Sequence, residues 1–163
     1  MAVEFTFQRT LDAPRQRVWD AFTKEEHLQH WWGPAEMKNV IHTFDLRPGG
    51  LHHYSMDTPS GDTWWGRWVF EEVTPPERLV FISSFSDPQG GVTRAPFAKD
   101  FPAEVRSTLT FEERDGKTVV TLKGEPLHAS DAERKFFEGM NASMQNGWGM
   151  TFDMLEKYLG ASA

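Results

Sequence analysis

Apolar and polar residues alternate at the start of the chain. Phe5, Phe7 and Leu11 fall on one side and Glu4, Thr6, Gln8 and Thr10 on the other, the pattern of a half-buried strand, with Arg9 a lone charge on the apolar side. The period then changes. Pro14 suits the first position of a helix, and Val18 and Phe22, four residues apart, give it one apolar stripe. Thr23 followed by Glu26 has the form of a capping box, which predicts a second short helix through Leu28 that stops before Gly33-Pro34.

From about residue 36 to 124 the pattern is that of strands and turns. Val40, His42, Phe44 and Leu46 share one register, Pro48-Gly49-Gly50 marks a tight turn, and residues 51–57 run back to a Pro-Ser-Gly-Asp turn. Two hairpins follow: 63–74 with 78–86 across Pro75-Pro76-Glu77, and 103–113 with 117–123 across Asp115-Gly116. Between them, Ser86 to Pro102 carries Gly90-Gly91, Phe97 and Phe101 and is too long for a simple turn, so it reads as a lid or an edge loop. In strand 64–73 bulky groups occupy both registers, Trp64, Trp68 and Phe70 against Trp65, Val69 and Val73, and its inward face stays open.

Ser130 and Glu133 form another capping box and open a helix that can run to about Leu159, roughly 40 Å at 1.5 Å per residue. On a helical wheel Phe136, Phe137, Met140, Met144, Gly147, Trp148, Thr151, Met154, Leu155 and Tyr158 share one side. That side has only the sheet to pack on. The expected fold is therefore α+β: a strongly twisted antiparallel sheet of about seven strands, two short helices after the first strand, and a long C-terminal helix across the concave face. Gly139, Gly147 and Gly149 each cost the helix about 1 kcal/mol relative to Ala. Gly147 and Thr151 make the middle of the apolar stripe small, so the helix either borders a void or admits bulky sheet aromatics into a solid core.

Composition narrows the function classes. The chain has 163 residues, and its 7 Trp and 13 Phe sit in an otherwise polar sequence with 25% charged residues and a net charge of -7. That much aromatic surface has to be gathered into a core, a cavity or an interface. One domain spanning residues 1–163 is the simplest division. The absence of cysteine excludes thiol nucleophiles and thiolate metal sites. An acidic balance with no Lys/Arg cluster argues against nucleic acid and against an anionic membrane surface. No basic leader and no run approaching roughly 18 apolar residues is present, so a soluble, cytoplasmic protein is expected.

Several runs together resemble a known family: Ala13-Pro14, Val18-Trp19-Asp20-Ala21-Phe22-Thr23 and Trp31-Trp32-Gly33-Pro34, then Asp45-Leu46-Arg47-Pro48-Gly49-Gly50, Pro75-Pro76-Glu77-Arg78-Leu79, and finally Gly139, Gly147-Trp148, Leu155 and Tyr158-Leu159. In this order they resemble the START-like branch of homologues of the heat-shock-chaperone ATPase activator, across nearly the whole chain. The resemblance implies a helix-grip fold with a cavity between sheet and C-terminal helix, used in that superfamily for lipids, sterols, polyketides or aromatic metabolites. A chaperone partner is not expected, because the eukaryotic cochaperone also uses a separate N-terminal domain for which this chain has no room. A homodimer stays open.

Candidate chemistry is sparse. His27 and His30 share one side of the second short helix, but no third ligand stands at diagnostic spacing, so no metal is expected, and no cofactor. His52 and His53 are neighbours on a strand, and one of them faces the cavity. Asp45 and Arg47 flank Leu46 and read as an ion pair that pins the Gly-Gly turn. No nucleophile elbow or phosphate-cradling loop is present. The expected function is non-catalytic binding of a hydrophobic or aromatic small molecule. Phe44, Trp65, Trp68 and Phe81 of the sheet and Met140, Met144 and Trp148 of the helix would form the wall. Gly147 and Thr151 stand at its centre, Trp32 at the mouth, and Arg9, His42 or His53 serve as polar anchors. Two alternatives are a cyclase- or hydrolase-type enzyme using polar cavity groups, and an interaction module presenting Trp31, Trp64, Phe97 and Phe101 as one exposed patch.

Overall fold

The structure, a computed structural model, describes residues 4–32, 37–95 and 98–161. The first strand, β1 (Phe5–Leu11), is followed by two short helices, α1 (Arg15–Thr23) and α2 (Glu25–Trp31). Then come β2 (Lys38–Phe44), β3 (Leu51–Asp57), β4 (Thr63–Thr74), β5 (Arg78–Ser86), the two-residue β6 (Val92–Thr93), β7 (Glu104–Arg114) and β8 (Lys117–Leu127). Two helices close the chain, α3 (Asp131–Gly139) and α4 (Asn141–Ala161). The strands form one curved, open antiparallel sheet in the order β1-β8-β7-β5-β4-β3-β2, and β6 pairs with the end of β5. The expected α+β architecture is the one observed.

Alternation places one face of this sheet against the helices. Phe5, Phe7 and Leu11 of β1, Val120 and Leu122 of β8, Leu109 and Phe111 of β7, Leu79 and Phe81 of β5, and Trp68 and Phe70 of β4 are all buried. Phe22 of α1 meets Trp31 of α2, Phe111 of β7 and Phe152 of α4 at centroid distances of 4.7, 5.4 and 6.0 Å, and so joins both helix pairs to the sheet. Trp31 is buried and donates its indole N–H to the Ala21 carbonyl at 2.9 Å. It therefore closes the angle between α1 and α2.

The turns are built as their residues require. Asp115 and Gly116 take φ of 52° and 78°, which the two-residue hairpin between β7 and β8 needs. Asp45 and Arg47 do pair, at 2.7 Å, before the turn at Gly49-Gly50. That turn is tied to β4 by Gly49 N–H to Phe70 C=O at 2.7 Å and Phe70 N–H to Gly50 C=O at 3.0 Å. Ser130 and Glu133 make the reciprocal capping box that their spacing predicts, at 2.9 and 3.1 Å. The segment after β5 is an edge element in its first half: β6 pairs with β5, and the Asp87 carboxylate accepts from the backbone N–H of Gln89 and Gly91. Phe97 and the Gly33-Pro34 stop lie outside the described residues.

Three expectations about local structure need correction. Thr23 does not cap α2; Lys24 holds the N-cap position, and the Thr23 hydroxyl donates back to the Trp19 carbonyl at 2.7 Å inside the core. The C-terminal helix is two helices, broken at Met140, whose φ and ψ of -86° and 3° leave the helical region next to Gly139. Beyond that break the inward stripe of α4 is Met144, Trp148, Thr151, Phe152, Leu155 and Leu159, and Gly147 lies outside it. A Cβ added at Gly147 meets nothing within 4 Å, so no void is centred there.

The glycines of the turn and of the helix therefore differ sharply. A Cβ at Gly50 would stand 1.9 Å from the Asp45 carbonyl oxygen, a backbone atom held by the β2–β3 connection. Gly50→Ala is expected to destabilise the fold by about 2–4 kcal/mol. Gly147→Ala, which relieves only the helical cost of glycine, is expected to stabilise it by about 0.5–1 kcal/mol. Urea unfolding of the two variants measures both, and a Gly147→Ala variant less stable than the parent would put that residue back on the packed side.

Candidate functional site

A cavity of about 300 Å³ lies between the concave sheet face and the helices α3 and α4. Its floor comes from the middle strands: Tyr54 and Met56 of β3, Gly66 and Trp68 of β4, Phe81 and Ser83 of β5. Val105 and Ser107 of β7, Leu122 and Gly124 of β8 and Phe5 of β1 continue it toward the first strand. Phe137, Met144 and Trp148 form the roof, Trp32 closes one side, and Trp64, Phe85 and Phe101 stand at the rim. None of the described lining residues is charged and none is a histidine. Asp62 and Arg94 lie in an adjoining surface hollow beyond Trp64 and Phe85.

The register of β4 decides which rings are inside. Gly66, Trp68 and Phe70 are buried on the concave side, and Trp64 reaches the rim with 37% of its surface exposed. The Trp65 ring stacks instead on His42 and His53, at 4.8 and 5.2 Å, on the other face. Trp68 lies flat on Phe81 with centroids 4.0 Å apart and receives the edge of Trp32 at 4.9 Å. Trp32 also meets Tyr54 edge-on at 6.0 Å and Trp148 at 5.4 Å, so it links the helical and sheet walls.

Of the residues expected to surround the cavity, Trp32, Trp68, Phe81, Met144 and Trp148 come together around it, and Trp65 borders it only from its strand position. The others are elsewhere. Phe44 packs on His52 and Phe70, beside the cavity and not in its wall. Met140 sits at the helix break, Thr151 is buried deeper along α4, and Gly147 faces away. Arg9 holds Asp153 at 2.7 Å and Glu156 at 3.4 Å, clamping β1 to α4 across the outside of the interface. His42 and His53 are turned to the opposite face, where His42 Nε2 meets Ser55 Oγ at 2.8 Å and His53 Nε2 meets Ser86 Oγ at 3.0 Å. For His42 the cause is a bulge between Ile41 and Thr43, which inserts it as an unpaired residue and breaks the alternation read from Val40 to Leu46; His53 follows the regular parity of β3.

His52, not His53, is the inward imidazole. It is fully buried between Phe44, Tyr54 and Trp68, and neither ring nitrogen closes a hydrogen bond of normal geometry. Burial pushes its pKa down to about 3, the Thr43 backbone pulls weakly the other way, and neighbouring His53 adds to the lowering. Tyr54 stacks on it at 4.9 Å, and burial pushes the Tyr54 phenol up to about 12, opposed by the indoles of Trp32 and Trp68. Tyr54 shares parity with His52 and Met56 on β3, and the alternation from Val40 to Leu46, which points to His53 instead, does not reveal it.

Chemically the wall offers neutral hydrogen bonding and no general acid–base pair. Ser83 donates to the Val105 carbonyl at 3.4 Å, and no carboxylate or imidazole stands beside the serines among the described lining residues. His27 and His30 serve packing: His27 Nδ1 meets the Tyr158 hydroxyl at 2.6 Å, and His30 stacks on the same ring at 5.7 Å. Among the described residues no group of three or more His, Cys, Asp or Glu side chains could hold a metal ion. Among the described residues no helix is long and apolar enough to cross a membrane. Nor do the described members of the candidate patch, Trp31, Trp64 and Phe101, form one exposed surface, since Trp31 is buried and Phe101 packs on Phe85, Phe136 and Phe137.

An antiparallel sheet curved around a C-terminal helix, with an apolar cavity between them, defines a START-like helix-grip protein. The profile of the activator of Hsp90 ATPase homolog 1-like protein family matches residues 12–160, and the chain belongs to that family. A protein from Mycobacterium smegmatis is 25% identical, with 96% of this chain and 90% of that one covered and a TM-score of 0.77. One from Arthrobacter aurescens is 24% identical over 98% and 87% of the two chains, with a TM-score of 0.81. The AHSA1 protein from Silicibacter pomeroyi is 17% identical over 98% and 99%, with a TM-score of 0.75. What these likenesses establish is the shared fold. Among curated proteins none matches the chain.

The depressed pKa of His52 makes stability depend on pH with a definite sign. The imidazole is neutral in the folded protein down to about pH 3 and takes a proton in the unfolded chain below about 6.5. The unfolded state thus binds the extra proton, and the stability present above pH 6.5 is lost on acidification toward pH 3, at about 1.4 kcal/mol per pH unit. Denaturant unfolding between pH 7 and pH 4 is expected to show that slope, and His52→Phe to flatten it by about one proton. An unchanged slope in the variant would assign the acid sensitivity to other groups.

Proposed function

We propose that this protein holds a largely apolar small molecule between the sheet and the C-terminal helices and performs no chemistry on it. The observation that carries the reading is the cavity itself: about 300 Å³, walled by Trp, Phe, Tyr and Met side chains, with no charge among its described lining residues. That size stands at the lower end for small-molecule sites, which are mostly apolar with a few placed polar groups. Every 100 Å² of ligand surface buried there contributes about 2.5 kcal/mol. A ligand of one to three fused rings suits the aromatic walls, since offset and edge-on ring contacts add to plain burial. The helical roof suits a site that has to open, because Met144 and Trp148 are only partly buried and methionine adapts its shape to what it covers.

Trp32, Trp68 and Trp148 surround the cavity, so occupancy is expected to quench tryptophan fluorescence saturably and to raise the melting temperature with ligand concentration. Ser107→Phe, which places a ring in the cavity from β7, is expected to weaken binding by at least about tenfold while the protein stays folded. A broad panel of lipids and aromatic compounds that produces neither quenching nor a thermal shift would overturn the reading.

A further inference from the structure

Apart from the serine hydroxyls of its floor, the polar groups of the cavity stand where Trp32 meets Tyr54. The indole Nε1 of Trp32 is buried and has no hydrogen-bond partner. The Trp32 ring meets the Tyr54 ring edge-on at 6.0 Å, and its N–H closes no hydrogen bond of normal geometry with the Tyr54 oxygen. A buried donor left in this way is costly, and each such group in a native fold calls for a partner. Tyr54 adds a second donor beside it. The groups acting on its oxygen are the indoles of Trp32 and Trp68, which only donate, so neither consumes the phenol's own proton. Burial keeps that proton in place throughout the neutral range.

The position of this phenol is built in. A Cβ at Gly66 would stand 2.6 Å from both the Cζ and the hydroxyl oxygen of Tyr54, so the ring lies directly across the glycine of the neighbouring strand. His52 stacks on the ring from the other side along β3. Any side chain at position 66 would push the phenol toward the roof. The two donors therefore stand at one end of a largely apolar space whose other described polar side chains are the hydroxyls of Ser83, Ser84 and Ser107, and which contains no described cation.

From this juxtaposition we infer that the ligand is a neutral, largely aromatic molecule with one accepting oxygen, a ketone or aryl ether in class, seated with that oxygen between the Trp32 indole N–H and the Tyr54 hydroxyl. The inference rests on the cavity reading above and specifies what the cavity selects. A hydrocarbon leaves the Trp32 donor unpaired. A carboxylate would satisfy it, but would bury a charge with no cation beside it.

Calorimetric titration with naphthalene, its methyl ketone and its carboxylate, which share one ring system, separates these cases. For the wild-type protein the ketone is expected to bind about tenfold more tightly than naphthalene, with the carboxylate weakest at neutral pH. Tyr54→Phe and Trp32→Phe should each remove most of the ketone's advantage and leave naphthalene binding within about twofold. The bound ketone's carbonyl stretch should move to lower frequency in the wild type and return in the variants. Equal affinity of ketone and hydrocarbon, tightest binding of the carboxylate, or variants that weaken both neutral ligands alike would overturn the inference while the cavity reading stands. Binding of none of the three, together with silence across the broader panel, would overturn both. If Trp32→Phe fails to fold, Tyr54→Phe carries the test, because it removes a single oxygen atom.

Discussion

Trp68 lying flat on Phe81, with its ring edges met by Trp32, His52 and Phe70, is the contact on which the rest of the structure depends. It fixes the parity of β4, and antiparallel pairing passes that parity to β3 and β5. Once Trp68 faces the helices, Gly66 must do so too. The gap left by its missing side chain is where the Tyr54 ring lies. A one-residue slip would bring Trp65 and Arg67 under the helices and expel Trp68. The cavity exists because a large ring and a glycine alternate on one strand.

The opposite face explains why that strand is bulky in both registers. Trp65 is stacked by His42 and His53, which are anchored through Ser55 and Ser86, and Arg67 donates to the Gly90 carbonyl at 2.7 Å. These groups hold the connection between β5 and β6 against the sheet. Both sides of β4 are thus packed, one by helices and one by a loop, and a two-sided strand carries no simple alternation.

Helix gripping has a comparable division of labour. Phe152 and Leu155 are fully buried, Phe152 meets Phe7 at 5.1 Å, and Arg9 ties the outer side of α4 to β1. This end of the helix is clamped by core packing and charge. The other end, from Phe137 to Trp148, covers the cavity. The break at Met140 separates α3, which caps the rim, from α4, which grips.

Much of this was readable from residues alone. The strand at Phe5–Leu11, the hairpin at Asp115-Gly116, the capping box at Ser130 and the order of elements all follow from local rules, because each depends on residues a few positions apart. Membership of the family was carried by motifs of the same kind. The site was less readable, and for a shared reason. A bulge at His42, a parity choice on β4 and a helix break at Met140 each rotate a set of side chains by one position, and none is decided by the local pattern. Sequence by itself determined that one aromatic-rich sheet would be gripped by a C-terminal helical segment. Only the tertiary structure decided that Tyr54, Trp32 and serines such as Ser83 and Ser107, and not Arg9, His42 or His53, bring polar groups to the cavity, because facing is a property of the packed sheet, set by which side of each strand can bury its largest ring.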